Sequence, residues 1–235
     1  MNIRKKTVIL ISGRGSNMAA LIEAASELGF PAEIAGVISD QPDAPGLIIA
    51  NQQKVPAHVI RRADFASKEA HDAAIDVALQ ALGAEIVALA GYMRLLTPGF
   101  VRKWQGRMIN IHPALLPAFR GLDTHRRAIE AGVRLSGCTV HFVTSEVDSG
   151  PIIAQAAVPV LSSDTEGSLA ARVLRAEHQL YPLALRLLAD GRVRMEGSRA
   201  VFDLGDGSER VSGPLVAPDL YPAAPNLEDL ARFTP

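Results

Sequence analysis

The stretch Thr7-Val8-Ile9-Leu10-Ile11-Ser12-Gly13-Arg14-Gly15-Ser16-Asn17 decides the fold. Residues 7–12 are rich in Val and Ile and read as a strand buried on both faces. Gly13 to Ser16 then turn the chain, and Asn17 is a suitable N-cap for a helix over 18–28. A buried strand, a glycine turn and a helix make the opening unit of an α/β sheet.

The same alternation continues outward from that unit. Residues 32–39, 57–60, 85–90 and 107–111 read as strands, and 44–53, 67–82 and 98–104 as helices. Apolar strands alternating with amphipathic helices imply a parallel sheet covered on both faces. The pattern changes after Pro113. A helix over 123–131 precedes two strands, 136–144 and 152–160, joined by Glu-Val-Asp-Ser-Gly-Pro, a spacing that suits an antiparallel pair. A long helix follows over 165–189, with Ser163-Asp164-Thr165-Glu166 as its capping region, then a small hairpin from 192–195 and 200–204. The expected fold class is α/β: a Rossmann-like open, mostly parallel sheet flanked by helices, with an antiparallel C-terminal part. Residues 1–205 are expected to form one domain, and 206–235 a Pro-rich surface tail.

Composition narrows the function. A net charge of −1 over 235 residues gives no general attraction to nucleic acid or to an anionic membrane. The apolar run 8–11 is too short for a signal segment or a membrane span. The single cysteine, Cys138, cannot build a disulfide framework, and a cytoplasmic setting is expected. An anionic ligand would have to be held by local groups; the expectation is a monomer or homodimer acting on small-molecule substrates.

Two constellations carry chemistry. The glycine turn offers free backbone N–H groups at a helix N-terminus, with Gly15 allowing close approach, the Ser16 hydroxyl adding a donor and Asn17 beside them. It lacks the Gly-Lys-Ser/Thr of a P-loop and the third glycine of a dinucleotide fingerprint, so it reads either as a tight βα turn with an N-cap or as a monophosphate site. The second constellation is Asn110, His112 and Asp148, near the ends of apolar strands. An amide that can hold an oxyanion, an imidazole that can move a proton and a carboxylate that can orient it suit acyl transfer. The stiff apolar loop Pro113-Ala-Leu-Leu-Pro117 can wall such a site against water. His112, His125, His141 and Asp148 match no compact metal-ligand spacing, so no metal is expected.

Taken together, Asn110-Ile-His112-Pro-Ala-Leu-Leu-Pro, Gly121-Leu-Asp-Thr-His125 and Val140-His-Phe-Val-Thr-Ser-Glu-Val-Asp148-Ser-Gly-Pro151 resemble the folate-dependent formyltransferases. The likeness runs from about residue 6 to 195, with Ala90-Gly-Tyr-Met-Arg94 and Ala176-Glu177-His178 also matching. Gly13-Arg-Gly-Ser-Asn17 points within that family to members whose acceptor is glycinamide ribonucleotide. The resemblance implies 10-formyltetrahydrofolate as the formyl donor, and Asn110, His112 and Asp148 as catalytic residues. It assigns the acceptor to Gly15, Ser16, Asn17, Leu174, Arg175, Ala176 and Glu177. It assigns the folate to Lys68, Met93, Arg94, Leu95, Leu96, Asn110, Thr144, Ser145, Glu146, Val147 and Asp148. Lys68 stands where the family usually has an arginine, which keeps the charge and loses the bidentate fork. Two relatives by resemblance compete: a formyltetrahydrofolate deformylase, expected to carry an extra N-terminal domain, and a methionyl-tRNA formyltransferase, expected to carry an RNA-binding C-terminal domain. A strand starting by residue 7 and a non-basic tail favour neither.

Overall fold

The computed structural model describes residues 4–203. β1 (Lys5–Ile11), α1 (Ser16–Ser26), β2 (Ala32–Ser39), α2 (Pro45–Gln52) and β3 (Ala57–Val59) come first. A single turn of 3-10 helix, Arg62–Asp64, leads into α3 (Lys68–Ala81), β4 (Ile86–Leu89), α4 (Pro98–Lys103) and β5 (Met108–His112). The remainder is α5 (Thr124–Glu130), β6 (Leu135–Phe142), β7 (Ile152–Pro159), α6 (Glu166–Ala189) and the hairpin β8 (Val193–Glu196) and β9 (Arg199–Phe202).

Seven strands form one sheet in the order β3-β2-β1-β4-β5-β6-β7. β1 to β5 pair in parallel, and β6 and β7 run antiparallel. Alternate residues feed opposite faces. Ile9, Ile11, Ala88, Ile109 and Ile111 meet Met18 and Leu21 of α1 and Val173 and Tyr181 of α6. Val8, Leu10, Val87, Leu89 and Met108 meet Ile75 and Leu79 of α3 and Phe100 of α4. The buried hydroxyl of Tyr181 donates to the carbonyls of Leu89 and Ile109, at 3.0 and 3.2 Å, and so ties α6 to the two strands that end at the candidate site.

Every strand and α-helix expected from the sequence is present, with ends shifted by one or two residues. One cap differs. α1 begins at Ser16, and its N-cap is Gly15, in the left-handed conformation at φ 74°. Asn17 is therefore already inside the helix, and its side chain is free for another partner. α6 does carry a capping box, made by Thr165 and Ser168. Among the described residues no helix is long and apolar enough to cross a membrane. The proposed tail, 206–235, lies outside the described residues.

Candidate active site

The chain leaves β1 toward β2 on one side and returns on the other side as β4. Such a reversal opens a crevice at the carboxyl ends of the two strands, where ligands of open α/β sheets bind. The glycine turn lies in that crevice. A Cβ on Gly15 would sit 2.7 Å from Gly46 Cα, and Gly46 N–H donates to Gly13 O at 3.0 Å. Gly15 is thus required twice, by its positive φ and by the start of α2 packed against it. The turn borders a cavity of about 550 Å³ shared with Gly91, Pro113, His125, Leu174 and Glu177. The first amides of α1 lack intrahelical acceptors, and Arg14 stands beside them, so this end of the cavity suits an anion.

Asn17 reaches across that cavity, donating its Nδ2–H to Glu177 Oε2 at 2.7 Å. Burial pushes the Glu177 carboxyl above its usual range, against the opposing pull of Asn17, His112 and Arg14. Burial also pushes His125 down, and its Nδ1 is buried without a hydrogen-bond partner in the described structure.

Asn110 and His112 are two apart on β5 and share the face of the sheet that Met108 feeds. β6 runs antiparallel beside it and places His141 opposite Asn110 and Thr139 opposite His112. His141 Nδ1 lies 2.9 Å from the carbonyl of Phe142, which can only accept, so that nitrogen carries the hydrogen. Burial pushes His141 below its usual range, which keeps the ring neutral and leaves Nε2 an acceptor. Asn110 Nδ2 lies 3.2 Å from it. The amide is therefore turned with its NH₂ toward His141, and one N–H remains to donate elsewhere.

Asp148 arrives from the loop between β6 and β7, which folds back toward the sheet. A Cβ on Gly150 would lie 1.7 Å from the carbonyl oxygen of Phe142, so the fold-back requires glycine there. Asp148 itself takes a positive φ of 51°. Its Oδ2 accepts from Gly121 N–H at 2.9 Å and lies 3.3 Å from His112 Nδ1, while Oδ1 lies 3.8 Å from His141 Nε2. His112 Nε2 donates to the carbonyl of Phe119 at 3.0 Å. Both ring nitrogens of His112 thus face oxygen acceptors.

A second cavity, about 310 Å³, opens on the Asn110 face. Leu89, Leu96, Val101 and Val143 give it an apolar wall, Asn110, His141 and Asp148 a polar end, and Lys68 and Arg94 cationic groups. That volume is at the lower end for a site holding a drug-sized ligand. Lys68, Arg94, Leu95, Leu96 and Thr144 to Asp148 line it together. Met93 instead lines the larger cavity. Gly15, Ser16, Asn17, Leu174 and Glu177 come together there, whereas Arg175 is exposed and Ala176 packs against the core. His112 borders neither cavity; it is 5% exposed and lies between Asn110 and Pro113, one residue of each wall. His141 escaped the sequence reading as a working residue because its value depends on cross-strand register. The one signal was its place in period two with Thr139.

A phosphate-suited crevice, and a mixed apolar pocket with an amide and a carboxylate at its polar end and an imidazole held against that carboxylate, define a group-transfer enzyme of the α/β class. The chain belongs to the formyl transferase family, whose profile matches residues 5–185. It is 44% identical over 199 residues to phosphoribosylglycinamide formyltransferase of Haemophilus influenzae, covering 85% of this chain and 94% of that protein. It is 49% identical over 190 residues to the trifunctional purine biosynthetic protein adenosine-3 of Drosophila melanogaster, where it spans 14% of the longer chain. A crystal structure of glycinamide ribonucleotide transformylase 1 from Symbiobacterium toebii superposes with a TM-score of 0.83 at 48% identity, covering 85% of this chain and 94% of that one. A formyltetrahydrofolate deformylase from Pseudomonas syringae superposes with a TM-score of 0.78 at 28% identity, covering 85% of this chain and 66% of that one.

Proposed function

We propose that the protein transfers the formyl group of 10-formyltetrahydrofolate to the amine of glycinamide ribonucleotide, in the cytoplasm. One observation carries the reading: Asn110 and Asp148 line the mixed apolar cavity, Pro113 lines the phosphate-suited one, and His112, 3.3 Å from Asp148, lies on the chain between Asn110 and Pro113. The acceptor phosphate would sit on the Gly15-Ser16 amides, with Glu177 near its other polar groups. The co-substrate would occupy the smaller cavity, its formyl end at Asn110 and its anionic tail toward Lys68.

The amine nitrogen forms a bond to the formyl carbon, and the bond from that carbon to the folate nitrogen breaks. Asn110 donates its remaining N–H to the formyl oxygen as negative charge grows there. His112 stabilises the same charge and then supplies the proton that the departing folate nitrogen needs. Reaching it requires Nε2 to exchange the Phe119 carbonyl for the reacting group. Such tightening between free and substrate-bound enzymes is common. Asp148 holds His112 through Nδ1 and accepts, through an ordered water, the proton that the attacking amine loses. The protons balance, and no covalent enzyme intermediate is needed.

Mass spectrometry of the reaction mixture tests the reading. Formylated glycinamide ribonucleotide is the product expected. Free formate in its place would favour the hydrolytic alternative, deformylation.

A further inference from the structure

Asp40 follows β2 and is 3% exposed, yet it belongs to neither cavity wall. Its Oδ2 accepts from Arg94 Nε at 2.8 Å and from Gln41 Nε2 at 3.0 Å. Burial alone would raise its pKa. The Ser12 hydroxyl, Arg94 and Gln41 outweigh burial and hold the carboxyl below its usual range.

Two of these partners, Ser12 and Arg94, bear on the chain between β4 and α4. Ser12 Oγ accepts from Met93 N–H at 2.9 Å, and Ser12 N–H donates to Gly91 O at 3.2 Å. That loop is a wall common to both cavities: Gly91 and Met93 face the larger, and Arg94, Leu95 and Leu96 the smaller. Beyond the buried Tyr92, its midsection has little packing of its own, with Met93 65% and Leu95 64% exposed. Its place therefore depends on polar ties. Two buried carboxylates supply such ties: Asp72 of α3 accepts from Thr97 N–H at 2.6 Å, at the loop's far end, and Asp40, at the end of β2, accepts from Arg94 in its midsection.

We propose that Asp40 is a positioning residue that fixes Arg94 and the β4–α4 loop for co-substrate binding. The proposal rests on reading the smaller cavity as the folate site. The expected signature is weaker folate binding with chemistry spared, because Asp40 touches no reacting atom.

Asp40→Ala, Asp40→Asn, Arg94→Ala and the double alanine variant are compared with the unaltered protein. The readouts are Kd for tetrahydrofolate by calorimetry, and KM and kcat with 10-formyltetrahydrofolate. Asp40→Ala should raise Kd and KM about tenfold, within the roughly hundredfold that a misplacement of 1 Å can cause, with kcat near that of the unaltered protein. Asp40→Asn should recover much of the loss, since its carbonyl still accepts from Arg94. The double variant should be no worse than Arg94→Ala alone. Unchanged Kd and KM in Asp40→Ala, a fall in kcat alone, or additive losses would overturn the proposal. Failure of the unaltered protein to bind tetrahydrofolate would instead overturn the cavity reading, and the proposal with it.

Discussion

Asn110 can serve an oxyanion only if its amide is turned with N–H groups outward, and a neutral His141 imposes that turn. Asn110→Ala should cost about 10²–10³ in kcat, as loss of one oxyanion donor typically does, with KM for either substrate little changed. Steady-state kinetics of the folded variant checks this. His112→Ala should keep its circular dichroism spectrum and lose about 10²–10⁴ in turnover. Near-normal turnover would remove His112 from the mechanism. Asn110, His112 and Asp148 were legible in the sequence because their residue types carry the chemistry. Asn17 was misread as a cap because Asn at a helix start favours that role. The left-handed Gly15 set the helix start two residues earlier, and a buried carboxylate, far away in sequence, claimed the side chain.

At the scale of elements, period and turn residues were enough to find every strand and α-helix of the described chain. The antiparallel turn of β6 was legible from its short connection to β7. Register was not: nothing local says that Asn110 faces His141, because pairing is chosen by the whole sheet. The fold-back of the β6–β7 loop was also hidden, since Asp-Ser-Gly reads as an ordinary turn. Close approach makes two glycines sharp tests. Gly15→Ala, strained by its positive φ and crowded by Gly46, should raise KM for the acceptor far more than KM for the folate. Gly150→Ala should destabilise the protein by about 1–3 kcal/mol, measured by urea unfolding, and should lower kcat by displacing Asp148.

At the scale of the molecule, the site is bought with stability. Burial raises the pKa of Glu177 in the folded state. A raised carboxyl contributes stability that is present below its unfolded pKa and lost as pH rises through the folded value. At neutral pH the charged form is therefore a strain on the fold. Glu177→Gln, which still accepts from Asn17, should raise Tm at pH 7, with each 1 kcal/mol worth about 2–4 °C in a domain of this size. It should also weaken acceptor binding, and the gain in Tm should shrink as pH falls toward the unfolded value. His125 and His141 act in the opposite sense, because burial lowers their pKa values. Their contribution is present above the unfolded histidine pKa and is lost as pH falls through their folded values, so acid should destabilise the fold.

The most direct measurement is an absorbance assay of tetrahydrofolate production from 10-formyltetrahydrofolate, run with and without glycinamide ribonucleotide. Direct transfer between the two cavities predicts turnover only when the ribonucleotide is present, with one formylated product for each tetrahydrofolate released. Steady turnover without the acceptor, with release of formate, would refute it.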